Sequence, residues 1–107
     1  MSIFPCPYLN AAVELTEERE HHIARHHPDL LPKYRDQLAE TLADPDQVRK
    51  SQRMEDARLF SRWYDMISGG KHVVVVVVVD EDARRTWVVT AYIARRMAGG
   101  EMQWEKS

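Results

Sequence analysis

Seven consecutive valines, Val73–Val79, lie between Gly69-Gly70 and the acidic turn Asp80-Glu81-Asp82. Valine is stiff at χ1 and packs well on a pleated surface, so an unbroken run of this length predicts a β-strand. No side chain in the run suits water, and an all-valine edge would invite aggregation. The strand therefore belongs at the centre of a sheet, and the rest of the chain must cover it. With 107 residues in all, there is material for one modest core and no second one.

The flanking sequence supplies the cover. Thr16 followed by Glu17 and Glu18 reads as a helix start, a hydroxyl cap and then acids at the positive end of the dipole. Arg19 stands where a capping box would need glutamate, and Pro28 ends the helix at about His27. Leu31-Pro32 opens a second helix, with Tyr34, Leu38 and Leu42 on one face, and Asp44-Pro45-Asp46 stops it. Short strands follow at Val48, at 58–65, through the valines, at Thr86–Ile93 and at Met102–Trp104, with glycine pairs at the turns. In the strand at 86–93, Trp87, Val89, Ala91 and Ile93 form an apolar face; Thr86, Val88, Thr90 and Tyr92 form the other. Residues 1–14, with Pro5, Pro7 and Asn10, read as an extended N-terminal arm, leaving 15–107 as a single domain. The expected fold class is α+β, two N-terminal helices packed on a four- to five-stranded antiparallel sheet.

Charge and cysteine content narrow the function classes. A net charge of −2 argues against a whole-surface affinity for nucleic acid, but Arg and Lys crowd into positions 49–62 and leave room for a local basic patch. The lone Cys6 excludes an internal disulfide framework and suits a reducing compartment. No basic segment followed by an apolar one opens the chain, and the valine run is too short to span a bilayer. The expectation is a cytoplasmic protein without membrane association.

Two groups of residues could carry chemistry. Arg19, His22 and His26 share one face of the first helix, and histidines near a helix C-terminus favour protonation and phosphate contacts. Thr90 and Tyr92 project from one sheet face, and Arg62 from a strand beyond the central one; hydroxyls and a guanidinium can hold a phosphodiester and stabilise the charge that grows on it. Lys71, at the turn into the valine strand, is a further phosphate contact or a solvated lysine. The bland alternative is that the histidines face solvent and that Thr90 and Tyr92 are simply good strand formers. His22 and His26 also have the i, i+4 spacing of metalloprotease ligands, but Ile23 follows His22 where the catalytic glutamate would stand, and no third ligand is evident. No metal or other cofactor is expected.

Taken in order, Leu15-Thr16-Glu17-Glu18-Arg19, His22-Ile23, His27-Pro28-Asp29, Thr41-Leu42-Ala43-Asp44-Pro45-Asp46, Leu59-Phe60-Ser61-Arg62, the valine strand, Trp87–Tyr92 and Gly100–Trp104 resemble the phage and bacterial nuclease-like domains grouped with barnase, EndoU, the tRNA-cleaving colicins and RelE. The resemblance implies a metal-independent endoribonuclease, often a toxin acting on tRNA or mRNA and held in check by an antitoxin or immunity protein. It places the helix histidine on His22, the strand motif on Thr90 and Tyr92, and the preceding arginine on Arg62. His26 stands where the group has a basic residue before His-Pro. The implied chemistry is attack by a ribose 2′-hydroxyl, with His22 as base or acid, His26 or Tyr92 as its counterpart, and Arg62 and Thr90 on the phosphorane. Two other readings follow from the residues: an inactive nuclease-like module that binds RNA or a protein partner, and a homodimer formed through Met102–Trp104.

Overall fold

The valine run becomes β5 (Lys71–Asp80), the middle strand of a seven-stranded sheet ordered β1-β2-β6-β5-β4-β3-β7. The other elements are β1 (Ser2–Cys6), β2 (Ala11–Leu15), α1 (Glu17–His26), α2 (Arg35–Ala43), β3 (Gln47–Lys50), β4 (Ala57–Tyr64), β6 (Arg85–Ala94) and β7 (Glu101–Glu105). This is a computed structural model, and it describes residues 1–97 and 99–107. Antiparallel β4 and β6 flank β5 along almost its whole length, so its valines are satisfied on both edges. No helix among the described residues is long and apolar enough to cross a membrane.

The expectation of two N-terminal helices on a four- to five-stranded antiparallel sheet is wrong, since two strands precede the helices. The sheet has seven strands and is mixed, because β2 runs parallel to β6 at Glu14 and Trp87. The extra strands come from residues read as an extended arm, which form the antiparallel β1–β2 hairpin. Each apparent breaker has a permitted place there. Pro5 lies on an edge strand, where no partner needs its missing N–H; Pro7 opens a 3-10 turn, and Asn10 closes it in the left-handed region at φ 52°. Phe4 and Cys6 on β1, with Val13 and Leu15 on β2, alternate inward and are buried.

The helices lie on one face of this sheet. Val73, Val75 and Val77 meet Phe60 of β4, Val88 and Ala91 of β6, and Ile23, Leu38 and Leu42 of the helices in one buried cluster. Thr16 caps α1 by accepting the Arg19 backbone N–H at 3.2 Å, and Glu17, Glu18 and Glu20 fill its first turn. α2 begins at Arg35, later than Leu31-Pro32 suggests, because residues 28–34 form turns that drop Leu30 and Leu31 into the core.

A bulge in β6 re-sorts its side chains. Val76 pairs with Thr90 but Val77 pairs with Val88, so Val89 is the extra residue. Thr86, Val88, Ala91 and Ile93 therefore face the helices, and Trp87, Thr90 and Tyr92 face the other way; strict alternation through 86–93 does not hold. Thr86 spends its hydroxyl on the Ala12 carbonyl at 2.7 Å, which ties β6 to the hairpin.

Both outer strands discourage further pairing. Pro5 interrupts the donor row of β1, while β7 carries a bulge at Gln103, since Val48 pairs with Trp104 and Arg49 with Met102. In an antiparallel pairing of β7 with a second copy centred on Gln103, Glu101 would oppose Glu105, a like-charge contact.

Candidate functional site

The face of the sheet turned away from the helices carries the more promising hollow. Leu59, Val76, Val89, Thr90 and Tyr92 form its floor and one wall, and Ser51, Gln52, Arg53 and Met54 of the β3–β4 loop and Gly99-Gly100 close it. The cavity measures about 640 Å³. Its loop wall is pinned where Arg49 donates to the Gly99 carbonyl at 2.9 Å and where Ser51 accepts from the backbone N–H groups of Arg53 and Met54. A side chain at Gly100 would meet the Lys50 carbonyl at 2.8 Å, so the residue before β7 must be glycine for the chain to approach β3.

Charge distinguishes this hollow from the other. Among the described residues, Arg53 is its only charged lining residue. A second cavity of about 710 Å³, on the helix side between Tyr8 and the β5–β6 turn, is lined by Glu55, Asp56, Asp80, Glu81 and Asp82 against Lys50 and Arg58. An anion is repelled there and tolerated at Arg53. Burial raises the Tyr92 pKa, with Arg53 opposing, so Tyr92 is a neutral phenol able to donate a hydrogen bond.

The rim beside Tyr92 is built by α1. Since the β2–β6 ladder pairs at Glu14 and Trp87, near the start of β6, the edge of β6 beyond it is left to the helix. Arg19 donates to the carbonyl of the bulged Val89 at 3.3 Å, and the His27 ring lies 6.0 Å from that of Tyr92. His22 and His26 lie between these anchors with ring centroids 4.4 Å apart, His22 half-exposed and His26 exposed. Partial desolvation, then the charges of Arg19, His26, Arg25 and His27, lower the His22 pKa and favour the neutral imidazole.

The residues expected to form one centre are thus divided. Thr90 and Tyr92 share a cavity, and Arg19, His22 and His26 run along the neighbouring edge. Arg62 is elsewhere. It projects toward the helices, where its Nη1 donates to the Asp44 carbonyl at 2.7 Å and to Asp44 Oδ2 at 3.0 Å, and its Nε approaches Glu40 at 3.6 Å. The sheet separates it from Thr90 and Tyr92, so the three cannot meet on one phosphate. Asp44 also accepts from Lys106 Nζ at 3.1 Å; that bond, the Lys106 charge and Arg62 keep its carboxyl pKa low. The cluster is a clamp joining α2, β4 and the segment after β7. Lys71 is likewise engaged, donating to the Ser68 carbonyl at 2.6 Å beside the β4–β5 turn.

Arg53 and His27 were not singled out from sequence. The crowding of basic residues at 49–62 pointed to the right loop, but only the bulge and the β3–β4 loop conformation show which cation faces the tyrosine. Among the described residues no three His, Cys, Asp or Glu side chains are grouped to hold a metal ion. Comparison of the chain with family models and curated proteins, and of its fold with solved structures, finds no match.

Proposed function

We propose that the protein is a non-cleaving module that binds single-stranded RNA in the cavity on the helix-free face. The observation that carries this reading is an acid-free hollow of about 640 Å³ that combines an aromatic wall, Tyr92, with one cation, Arg53, and the small polar groups of Ser51, Gln52 and Thr90. A base stacked on an aromatic side chain contributes ~1–3 kcal/mol, and a guanidinium beside it takes the phosphate. With a net charge of −2, binding depends on this local patch and weakens with salt. Anisotropy of a labelled single-stranded RNA, titrated with the full chain at two salt concentrations, tests it. Tyr92→Ala is expected to weaken binding by about 5- to 140-fold, the equivalent of one stacked base; an unchanged affinity rejects the reading.

A second reading, the metal-independent endoribonuclease implied by the resemblance, is favoured by His27, whose ring lies 6.0 Å from that of the cavity-lining Tyr92, and by the His22–His26 pair, 4.4 Å apart on the helix that leads to it. In this reading His22 takes the proton of a ribose 2′-hydroxyl, His26 or Tyr92 protonates the leaving oxygen, and Arg53 or Arg19 supplies the cation in place of Arg62. The products are a 2′,3′-cyclic phosphate and a 5′-hydroxyl, and a protein inhibitor is the natural partner. Cleavage of total RNA that persists in EDTA and falls ~10²- to 10⁴-fold in His22→Ala supports it. Intact RNA under conditions where binding is measured rejects it.

A further inference from the structure

We propose that His22 and His26 form a two-imidazole binding site for a late first-row divalent cation such as Cu²⁺, Ni²⁺ or Zn²⁺. The site is independent of the RNA-binding reading. Residues four apart on a helix stand one above the other on the same face. Here both rings remain accessible, and their centroids lie 4.4 Å apart at 48°, a spacing that lets one nitrogen of each ring approach a shared ion. The helix fixes this arrangement before any ion arrives, because Thr16 caps its start and the buried Ile23, next to His22 in the chain, anchors it to the core.

Donor type selects the ion. Imidazole nitrogen suits copper, nickel and zinc, while calcium and magnesium demand oxygen ligands. A metal needs neutral imidazole and competes with the proton for it, so binding should weaken as the solution is acidified. No third His, Cys, Asp or Glu joins the pair among the described residues, so the other coordination positions remain open to water or to a donor atom of a bound ligand. Arg19 and Arg25 place positive charge nearby and hold the affinity down.

The test is isothermal titration of the untagged full chain with NiCl₂, ZnCl₂ and, as a control, MgCl₂ near neutral pH. The expected result is one equivalent of nickel or zinc bound and no magnesium. His22→Ala and His26→Ala should each weaken binding by at least the roughly 10- to 100-fold that loss of an outer-shell partner costs. His21→Ala, on the exposed neighbouring position, should leave it unchanged. Circular dichroism checks that the variants fold, and histidine resonances of the wild-type chain under substoichiometric Cu²⁺ give a reading that needs no variant: His22 and His26 should broaden first. Absence of binding, equal loss in His21→Ala, or binding that survives removal of both histidines overturns the proposal.

Discussion

Replacing Arg62 by alanine separates a structural arginine from a phosphate-binding one. Its side chain is 24% exposed and makes two hydrogen bonds to Asp44, one to the backbone carbonyl, with Glu40 at 3.6 Å. Hydrogen bonds to charged groups contribute ~1.5–3 kcal/mol when well buried. Both acids are about half-exposed, at 51% and 54%, so their share falls toward the ~0.2–1 kcal/mol of a solvated ion pair. The buried Nε has no hydrogen-bond partner to lose. The net expectation is a destabilisation of ~1–2 kcal/mol, a drop of roughly 4–12 °C in the melting midpoint for a domain of this size. RNA affinity should stay at the wild-type value. Urea and thermal unfolding followed by circular dichroism, with anisotropy on the same sample, measure both. Unchanged stability with a large loss of RNA binding or cleavage would refute the assignment of Arg62 to the clamp.

Other perturbations test separate parts of the structure. Thr16→Ala removes the acceptor of the Arg19 N–H at the start of α1 and should cost ~0.5–2 kcal/mol in urea unfolding; no loss would show that the cap contributes nothing. His72 has a buried Nδ1 without a partner, and burial, then Arg49, lower its pKa against the pull of Asp46. The unfolded chain therefore takes up the proton more readily, and stability should fall as pH drops below about 6.5. His72→Gln should flatten that dependence, and an unaltered slope would remove His72 as its source. The guarded edges of β1 and β7 predict a monomer near 12.5 kDa by light scattering at micromolar concentration, and a stable dimer would contradict that argument.

Where a single local rule decided the outcome, the fold was readable from sequence. The valine run could only be a central strand, Thr16 with its acids could only begin a helix, and Pro28 ended that helix at His27. The hairpin of β1 and β2 was hidden because Pro5, Pro7 and Asn10 mark loops in general and are tolerated here only by edge position and turn geometry. The alternation of Phe4 and Cys6 with Val13 and Leu15 around that turn was the available signal. On β6, one inserted residue at Val89 reversed the facing of everything before it, an effect with no mark in composition. Thr90 and Tyr92 were found together because they follow the bulge. Arg62 was misplaced for another reason: period-two spacing says which residues share a face of one strand, not which face a neighbouring strand shares with it.

RNA binding on the proposed reading is confined to the cavity on the helix-free face. Amide chemical shifts of the ¹⁵N-labelled full chain, followed while a short single-stranded RNA is added, test this most directly. The expected perturbations map to Ser51–Met54, Val76, Val89–Tyr92 and Gly99-Gly100. Perturbations gathered around Glu40, Asp44 and Arg62 on the opposite face, or none at saturating RNA, would contradict it.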